Sequence, residues 1–239
     1  MHFKILYFLL IFETMNMYDL FIKPYESYTD AQIFLETFAT VLGIMSVFFS
    51  IKKNIWVYPT GIISTVIYVY LLFIAGLLGD CMINVYYSIM SVYGWILWNK
   101  NSEDQIHVDV SWAKKKEWMM AAILFILSIF LVMIIYYYKP YIDNHFSSQN
   151  IEFGFYHLDW ANWLDVFTTS IFLVGMWLMA KRRIENWVFW ILGDLISIPM
   201  YIYKGYGITS VQYLVFTIMA IIGYVNWKKS FKEKNTVQL

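Results

Sequence analysis

One acidic residue in an apolar stretch of this chain, Asp194, follows two tryptophans at helical spacing. At 100° per residue, Trp187, Trp190 and Asp194 fall within about 60° of one another on a helix. Two indole faces beside a carboxylate favour a flat organic cation, because stacking, cation–π attraction and charge pairing act together. The alternative is an interfacial belt of aromatic residues. A belt accounts for Trp187 better than for Trp190, and it does not account for Asp194.

Two further acids, Glu36 and Asp165, lie within apolar stretches that contain no Lys, Arg or His. A carboxylate inside a membrane is costly and needs a partner, which here would be a helix terminus, a proton or a cationic solute. Glu36 and Asp165 lie near the ends of their stretches, where helix capping or contact with water would satisfy them. Asp194 lies deeper. Proton coupling through Glu36 or Asp194 stays open.

A second polar face is predicted in the third apolar stretch, where Asn84, Tyr87 and Ser91 share one side of a helix. These side chains could bind hydroxyl groups or ring nitrogens of a ligand, or they could join helices to one another. The second and sixth stretches each carry a glycine and a proline, which predicts a site or a hinge there. These residues are Pro59, Gly61, Gly193 and Pro199.

Composition excludes a water-soluble globular protein, because 60% of the residues are hydrophobic and only 14% are charged. Seven windows are long and apolar enough to cross the ~30 Å hydrocarbon core as helices. They are residues 31–51, 55–75, 81–98, 118–138, 160–180, 186–203 and 208–227. The run Ile5–Phe12 is too short to span and favours an interfacial helix over a signal peptide. We predict an all-α integral membrane protein.

The membrane part is duplicated: Gly76–Lys100 recurs 129 positions later as Gly205–Lys229. Just upstream, Trp56-Val57 matches Trp187-Val188 at a shift of 131. Duplication of this kind is typical of transporters whose substrate site lies between the halves, near the bilayer midplane. With window four as a connector, both triplets of helices have the same orientation. The prediction is a seven-helix, 3+1+3 arrangement of parallel repeats.

Basic residues indicate the orientation. Reading the windows in order, thirteen of the Lys and Arg residues fall on one side of the membrane and four, at positions 4, 23, 139 and 204, on the other. Because basic loops stay in the cytoplasm, the N-terminus is predicted outside and the C-terminus inside.

These assignments divide the chain into seven regions. They are an N-terminal segment with a short interfacial helix (1–30), a first three-helix repeat (31–100), a cytoplasmic linker (101–115), a connecting transmembrane helix (116–138), an external loop (139–159), a second three-helix repeat (160–228) and a basic cytoplasmic tail (229–239). Cys81 is the single cysteine, which excludes an intrachain disulfide. His145 and His157 lack metal-ligand spacing, so we expect no metal site and no cofactor.

Three segments resemble the PnuC family of vitamin transporters, best known for nicotinamide riboside. They are Glu36–Gly43, Val92–Trp98 and Glu185–Trp190, and the resemblance runs from about Phe34 to Lys229. It implies a SWEET-like fold of three, one and three helices in the bacterial inner membrane, typically as a homotrimer. It also implies facilitated diffusion of a vitamin that phosphorylation then traps inside the cell.

The family's sixth-helix motif, W-x-x-W-x-x-x-N, falls on Trp187, Trp190 and Asp194. Its third-helix glutamine and asparagine fall on Asn84 and Ser91, and a second-helix asparagine falls on Ser64. Four polar positions therefore differ from the riboside pattern. Aspartate in place of asparagine suits a cation such as nicotinamide riboside or thiamine, and it does not suit neutral riboflavin.

The sequence thus predicts a transporter, and not an enzyme or a nucleic-acid-binding protein, for a flat cationic vitamin. Nicotinamide riboside is the first choice, and thiamine is the alternative. The candidate substrate-binding residues are Trp187, Trp190, Asp194, Asn84, Tyr87, Ser91, Ser64 and Glu36. A membrane enzyme would need a nucleophile–base pair or a metal cluster, which these windows lack. A SWEET-type sugar transporter would fit the fold but gives no reason for Asp194.

Overall fold

The computed structural model describes residues 16–74, 78–100, 107–144, 146–147, 149 and 151–237. In these residues the chain is all-helical, as predicted, apart from two isolated β-bridges. The helices are α1 (Met17–Phe21), α2 (Asp30–Ile51), α3 (Val57–Ile74), α4 (Leu78–Asn99), α5 (Lys115–Tyr137), α6 (Lys139–Asp143), α7 (Trp160–Ala180), α8 (Asn186–Tyr203) and α9 (Gly207–Val237), with a 3₁₀ turn at Lys23–Tyr25. The short helix predicted at residues 5–12 lies outside the described residues.

Five helices, α2, α3, α5, α7 and α9, are by length and composition able to cross a membrane. Within the first triplet (α2–α4) and the second triplet (α7–α9), consecutive helices pack on one another. The third helix of each triplet also packs on the first helix of the other, α4 on α7 and α9 on α2. The last helix continues to Val237, ten residues beyond its predicted end at 227, through the segment predicted as a tail.

The first helix of each triplet ends in the same way. Lys53 (φ 57°) and Arg182 (φ 60°) adopt the left-handed conformation, although neither is glycine. The next amide N–H donates back across the turn, from Asn54 to Phe49 O and from Arg183 to Leu178 O, both at 2.9 Å. This is the Schellman hydrogen-bond pattern, which satisfies carbonyls at a helix end. The two turns are 129 residues apart, so the duplication extends beyond the segment recognised in the sequence.

Two tryptophans exchange hydrogen bonds between the triplets. Trp98 Nε1–H donates to Met179 O at 3.2 Å, and Trp227 Nε1–H donates to Ser50 O at 2.8 Å. Both indoles are completely buried. Each donor lies on the third helix of one triplet and each acceptor near the end of the first helix of the other. The pair therefore holds the two triplets together where the chain turns.

A buried ring next to each of these tryptophans requires a glycine. Tyr58 packs edge-on against Trp98, and Trp187 packs edge-on against Trp227, with ring centroids 5.1 and 5.4 Å apart. A Cβ on Gly94 would lie 2.4 Å from Tyr58, and a Cβ on Gly223 would lie 2.6 Å from Trp187. No side chain fits there.

This packing corrects the sequence alignment of the second helices. The structural counterpart of Trp187 is Tyr58, at the common shift of 129, and not Trp56 at a shift of 131. Trp56 is 54% exposed, whereas Trp187 is 2% exposed. Identity of residue type misled the comparison because buried Tyr and Trp fill equivalent spaces.

The predicted interruption of the second helix is also corrected. The α3 helix begins at Val57, so Pro59 lies in its first turn, where a missing N–H removes no helical bond. Only Pro199 lies inside its helix.

The linker after α4 lies across both helix-end turns. Val108 N–H donates to Lys53 O, and Ser111 N–H donates to Arg182 O, each at 3.1 Å. The Glu185 carboxylate accepts from Ala113 N–H at 2.9 Å. These bonds join the linker to both triplets on the side of the molecule that carries most of the basic residues.

Replacing Trp98 or Trp227 with phenylalanine tests the exchanged hydrogen bonds. We expect each substitution to destabilise the protein by about 1–3 kcal/mol, because it removes the donor to a buried carbonyl and leaves a cavity. The measurement is thermal unfolding in detergent. Trp56→Phe is the matched control, since its ring is exposed; an equal loss in the control would contradict the role of the exchange.

Candidate functional site

The candidate site is built around α8, which carries Trp190 and Asp194 one turn apart. A line of aromatic rings extends from Trp190 into the protein. Phe172 stacks on Trp190 with ring centroids 5.5 Å apart, Tyr213 stacks on Phe172 at 6.1 Å, and Tyr201 stacks on Tyr213 at 5.2 Å. The interplanar angles are 28°, 13° and 24°. All three helices of the second triplet contribute to this stack, which offers flat apolar surfaces to a planar ligand.

The Asp194 side chain is only 2% exposed. No hydrogen bond or ion pair satisfies its carboxylate among the described residues. The phenol groups of Tyr87 and Tyr213 lie within electrostatic range of it. A buried carboxylate without a partner is disfavoured in its ionised form, and a cation or a proton that reached it would relieve this cost.

The first triplet reaches the same site through α4. The Tyr87 ring lies 6.5 Å from the Trp190 ring, which brings together two residues that the sequence predicted on separate helices. Asn84 lies one turn further toward the start of α4, where its amide donates to Asp80 O at 3.0 Å. Ser91 is buried near Gly61 of α3. Ser88, which the prediction omitted, accepts from or donates to Thr65 at 2.8 Å.

Two predicted residues are engaged in helix packing. Ser64 Oγ donates to Ala39 O at 2.7 Å and so joins α3 to α2. The Trp187 indole lies against Trp227 and Gly223, and its Nε1 has no hydrogen-bond partner among the residues that the structure describes. Trp190, by contrast, is only partly buried. Of the two tryptophans, Trp190 is the one that remains accessible at the site.

Most of the aromatic rings at the site belong to the second triplet, and Tyr87 is the ring that the first triplet adds. At the shift of 129, Phe172 and Trp190 correspond to Gly43 and Gly61 of the first triplet. Glycines on the neighbouring helices lie against these larger side chains. A Cβ on Gly193 would lie 2.3 Å from Phe172, and one on Gly175 would lie 3.2 Å from Phe189 and 3.5 Å from Trp190. Duplicated helices thus form a site that is more aromatic on the side of the second triplet.

The two other acids, Glu36 and Asp165, are counterparts at the same shift, but their surroundings differ. Tyr136 donates to Asp165 at 2.5 Å, and Lys204 lies 3.8 Å from the same carboxylate. A cavity of about 80 Å³ lies beside Asp165 and is also lined by Asp80 and Lys139. Glu36 is partly buried, and no hydrogen bond or ion pair to it is present in the described part of the chain.

Sequence reasoning missed Phe172, Tyr213 and Tyr201. The sequence did contain a signal for Tyr213, because Tyr213 is the counterpart of Asn84, which was predicted as a site residue. Phe172 could not have been found this way, since its counterpart is Gly43. In the described residues, no group of three or more His, Cys, Asp or Glu side chains could hold a metal ion. His145 lies outside them.

Known proteins with a similar sequence are membrane transporters. The riboflavin/roseoflavin transporter RibM of Streptomyces davaonensis is 21% identical over 200 residues, 82% of this chain and 84% of that protein. The nicotinamide riboside transporter PnuC of Escherichia coli is 20% identical over 210 residues, covering 84% and 88%. PnuC of Neisseria mucosa is 28% identical over 207 residues, covering 83% and 73%.

The fold is also similar to a solved one. The crystal structure of the vitamin B3 transporter PnuC matches with a TM-score of 0.62 and 22% identity, over 98% of this chain and 93% of that one. The family model for the nicotinamide mononucleotide transporter matches residues 33–229. The resemblance seen in the sequence is therefore confirmed: this multi-pass protein of the bacterial inner membrane is a transporter, not an enzyme, and belongs to the nicotinamide mononucleotide transporter family.

Proposed function

We propose that the protein takes up a flat cationic vitamin, with nicotinamide riboside as the first substrate and thiamine as the alternative. The observation that carries the proposal is the Asp194 carboxylate, buried without a partner one turn from Trp190. A pyridinium or thiazolium ring would pair with this charge and stack on the indole at the same time.

The relatives' names support a vitamin as the substrate, but the vitamins that they name differ in charge. Two of the relatives above carry nicotinamide riboside by name, and one carries riboflavin. Riboflavin and sugars are neutral and would leave the Asp194 carboxylate unpaired in a low-dielectric site, at a cost of several kcal/mol if it stayed ionised. We therefore place a cation ahead of riboflavin and of a SWEET-type sugar.

The proposed binding site joins the two triplets. Trp190 and Asp194 bind the ring and its charge, Tyr87 covers the ring from the first triplet, and Asn84 and Ser91 hydrogen-bond the hydroxyl groups or ring nitrogens. Trp187 and Ser64 do not contact the substrate in this proposal; they position α8 and α3. The substrate site then lies between the triplets, where alternating access would expose it to each side in turn.

The proposed topology has seven transmembrane helices, α2–α5 and α7–α9, in a 3+1+3 parallel arrangement with the N-terminus outside. Its support is that basic segments far apart in sequence meet at one end of the molecule. Lys53 Nζ lies 2.5 Å from Ser230 Oγ, and Lys234 pairs with Asp109 of the linker. The seven regions predicted from the sequence follow from this topology. Downhill uptake with trapping by phosphorylation and a homotrimeric assembly are proposed from the family resemblance alone.

Reporter fusions test the topology. A reporter fused after Leu239 should lie in the cytoplasm, and one inserted after Gln149 should lie outside, because the basic segments resist translocation. The measurement is paired alkaline phosphatase and fluorescent-protein activity in intact cells. An external C-terminus would reverse the proposed orientation.

Truncation of Trp190 tests the aromatic contact. Trp190→Ala should weaken binding of nicotinamide riboside by about 1–2 kcal/mol, the range of a desolvated cation–π contact. The measurement is isothermal titration of purified protein. Trp163→Ala, which removes an exposed tryptophan, is the control. Unchanged affinity in a folded Trp190→Ala protein would assign Trp190 to packing.

Neutralisation of Asp194 tests the substrate class. Asp194→Asn should lower the affinity for thiamine and nicotinamide riboside by about tenfold or more and leave riboflavin unaffected, because only the cations lose a charge partner. The loss should be smaller for nicotinamide riboside, since asparagine is the residue of the family motif. The measurement is competitive uptake in cells lacking their own vitamin transporters.

Asp165→Asn is the matched control for Asp194→Asn, because Asp165 already has Tyr136 and Lys204 as partners. Equal transport of all three vitamins by wild type and Asp194→Asn would refute the cationic substrate.

A further inference from the structure

Glu36 and Asp165 provide an internal comparison, because duplication placed an acid at the same position in the first helix of each triplet. Asp165 pairs within the protein with Lys204, which follows α8, and accepts a hydrogen bond from the Tyr136 hydroxyl of α5. The residue corresponding to Lys204 in the first triplet is Ala75. The first triplet therefore keeps an acid at position 36 but has no lysine at the position that corresponds to Lys204.

The described surroundings of Glu36 contain tyrosines instead of a cation. The phenol groups of Tyr25, Tyr28 and Tyr68 lie within electrostatic range of its carboxylate. Tyr25 and Tyr28 belong to the segment that precedes α2, and their rings meet edge to face with centroids 5.4 Å apart. Burial, together with the Glu36 carboxylate, raises the pKa of Tyr25 to about 12. This phenol therefore stays neutral under physiological conditions.

Both triplets and the N-terminal segment form this group. Tyr68 of α3 lies 2.8 Å from Thr40 of α2 and beside Gln212 of α9. Tyr25 lies beside Thr209 of α9. The N-terminal segment packs on the start of α9, where a Cβ on Gly207 would lie 3.0 Å from Leu20 O. The group thus lies in the junction between α2 and α9, covered by the N-terminal segment.

Its position relates it to the central site. Glu36 precedes Gly43, the counterpart of Phe172, by seven residues, or about 10 Å along the helix. It lies toward the end of the molecule opposite the basic linker, which is the outer end in the proposed topology. A cation moving inward would meet Glu36 before Asp194.

We propose that Glu36, Tyr25, Tyr28 and Tyr68 form an outer binding site for the same flat organic cation, which is held there before it reaches Trp190 and Asp194. This site rests on the proposed function. A carboxylate supplies the charge, and the tyrosine rings supply the apolar and cation–π surface, the combination by which aromatic cages bind quaternary ammonium groups. The unbalanced charge of Glu36 attracts the cation, whereas Asp165, its counterpart in the second triplet, already has Lys204 and Tyr136 as partners.

Initial rates of uptake into proteoliposomes of the full chain test the outer site. Glu36→Gln should raise KM for nicotinamide riboside and thiamine about five- to thirtyfold while Vmax changes less than about twofold, because the outer site captures the cation and does not carry it across. Glu36→Asp should restore most of the loss. Asp165→Asn should leave KM at the wild-type value, since its carboxylate has partners inside the protein.

Tyr28→Leu is a second variant for the case in which Glu36→Gln does not insert into the membrane. It removes one wall of the cage outside the membrane helices and should raise KM about three- to tenfold for both cations. Unchanged KM in both variants, with wild-type protein transporting either cation, would overturn the outer site alone. Uptake of riboflavin but neither cation by the wild type would overturn the cationic substrate and this site with it.

Discussion

The two indole hydrogen bonds exchanged between the triplets determine how the halves of this protein fit together. Each uses a carbonyl that the last helical turn leaves without an intrahelical partner. Ser50 O and Met179 O each accept one bond from the turn that follows and one from a tryptophan of the other triplet. Both residues are buried, so water cannot satisfy these carbonyls and a partner within the protein must. Satisfying the helix ends therefore also fixes the contact between the halves.

The two triplets share these helix ends, but the side chains that they place at the centre of the protein differ. Duplicated helices would by default give two equal half-sites, but two reciprocal changes of side-chain size prevent this. The first triplet has Gly43 and Gly61 where the second has Phe172 and Trp190, and Gly193 on the facing helix provides the space for the Phe172 ring. The second triplet therefore contributes most of the rings, and the first contributes Tyr87 and small polar side chains. A planar ligand with a polar substituent matches such a site better than a symmetric ligand does.

Three acids in the apolar helices illustrate how tertiary surroundings assign different roles to similar residues. Asp165 has a lysine and a tyrosine hydroxyl, so its charge is balanced within the protein. Asp194 lies buried beside an aromatic stack, and Glu36 lies among tyrosines at the opposite end from the linker. The cost of an unpaired carboxylate in a low-dielectric region is the common physical term. The proposed cationic substrate would pair with both of these acids in turn.

The sequence alone determined the all-helical class, the duplication and the bounds of most helices, and it selected Trp190 and Asp194 as candidate site residues, because hydrophobic length, repeat spacing and a charge in an apolar helix are local properties. The tertiary structure decided what depends on neighbours from other helices. In the assembled protein, Trp187 packs on Trp227, and Phe172 and Tyr213 extend the stack that begins at Trp190. Lys204 forms an ion pair with Asp165. Periodicity shows which face of a helix a residue occupies, but not which helix that face meets. Whether a tryptophan binds a ligand or packs against a glycine is therefore settled only when the helices are assembled.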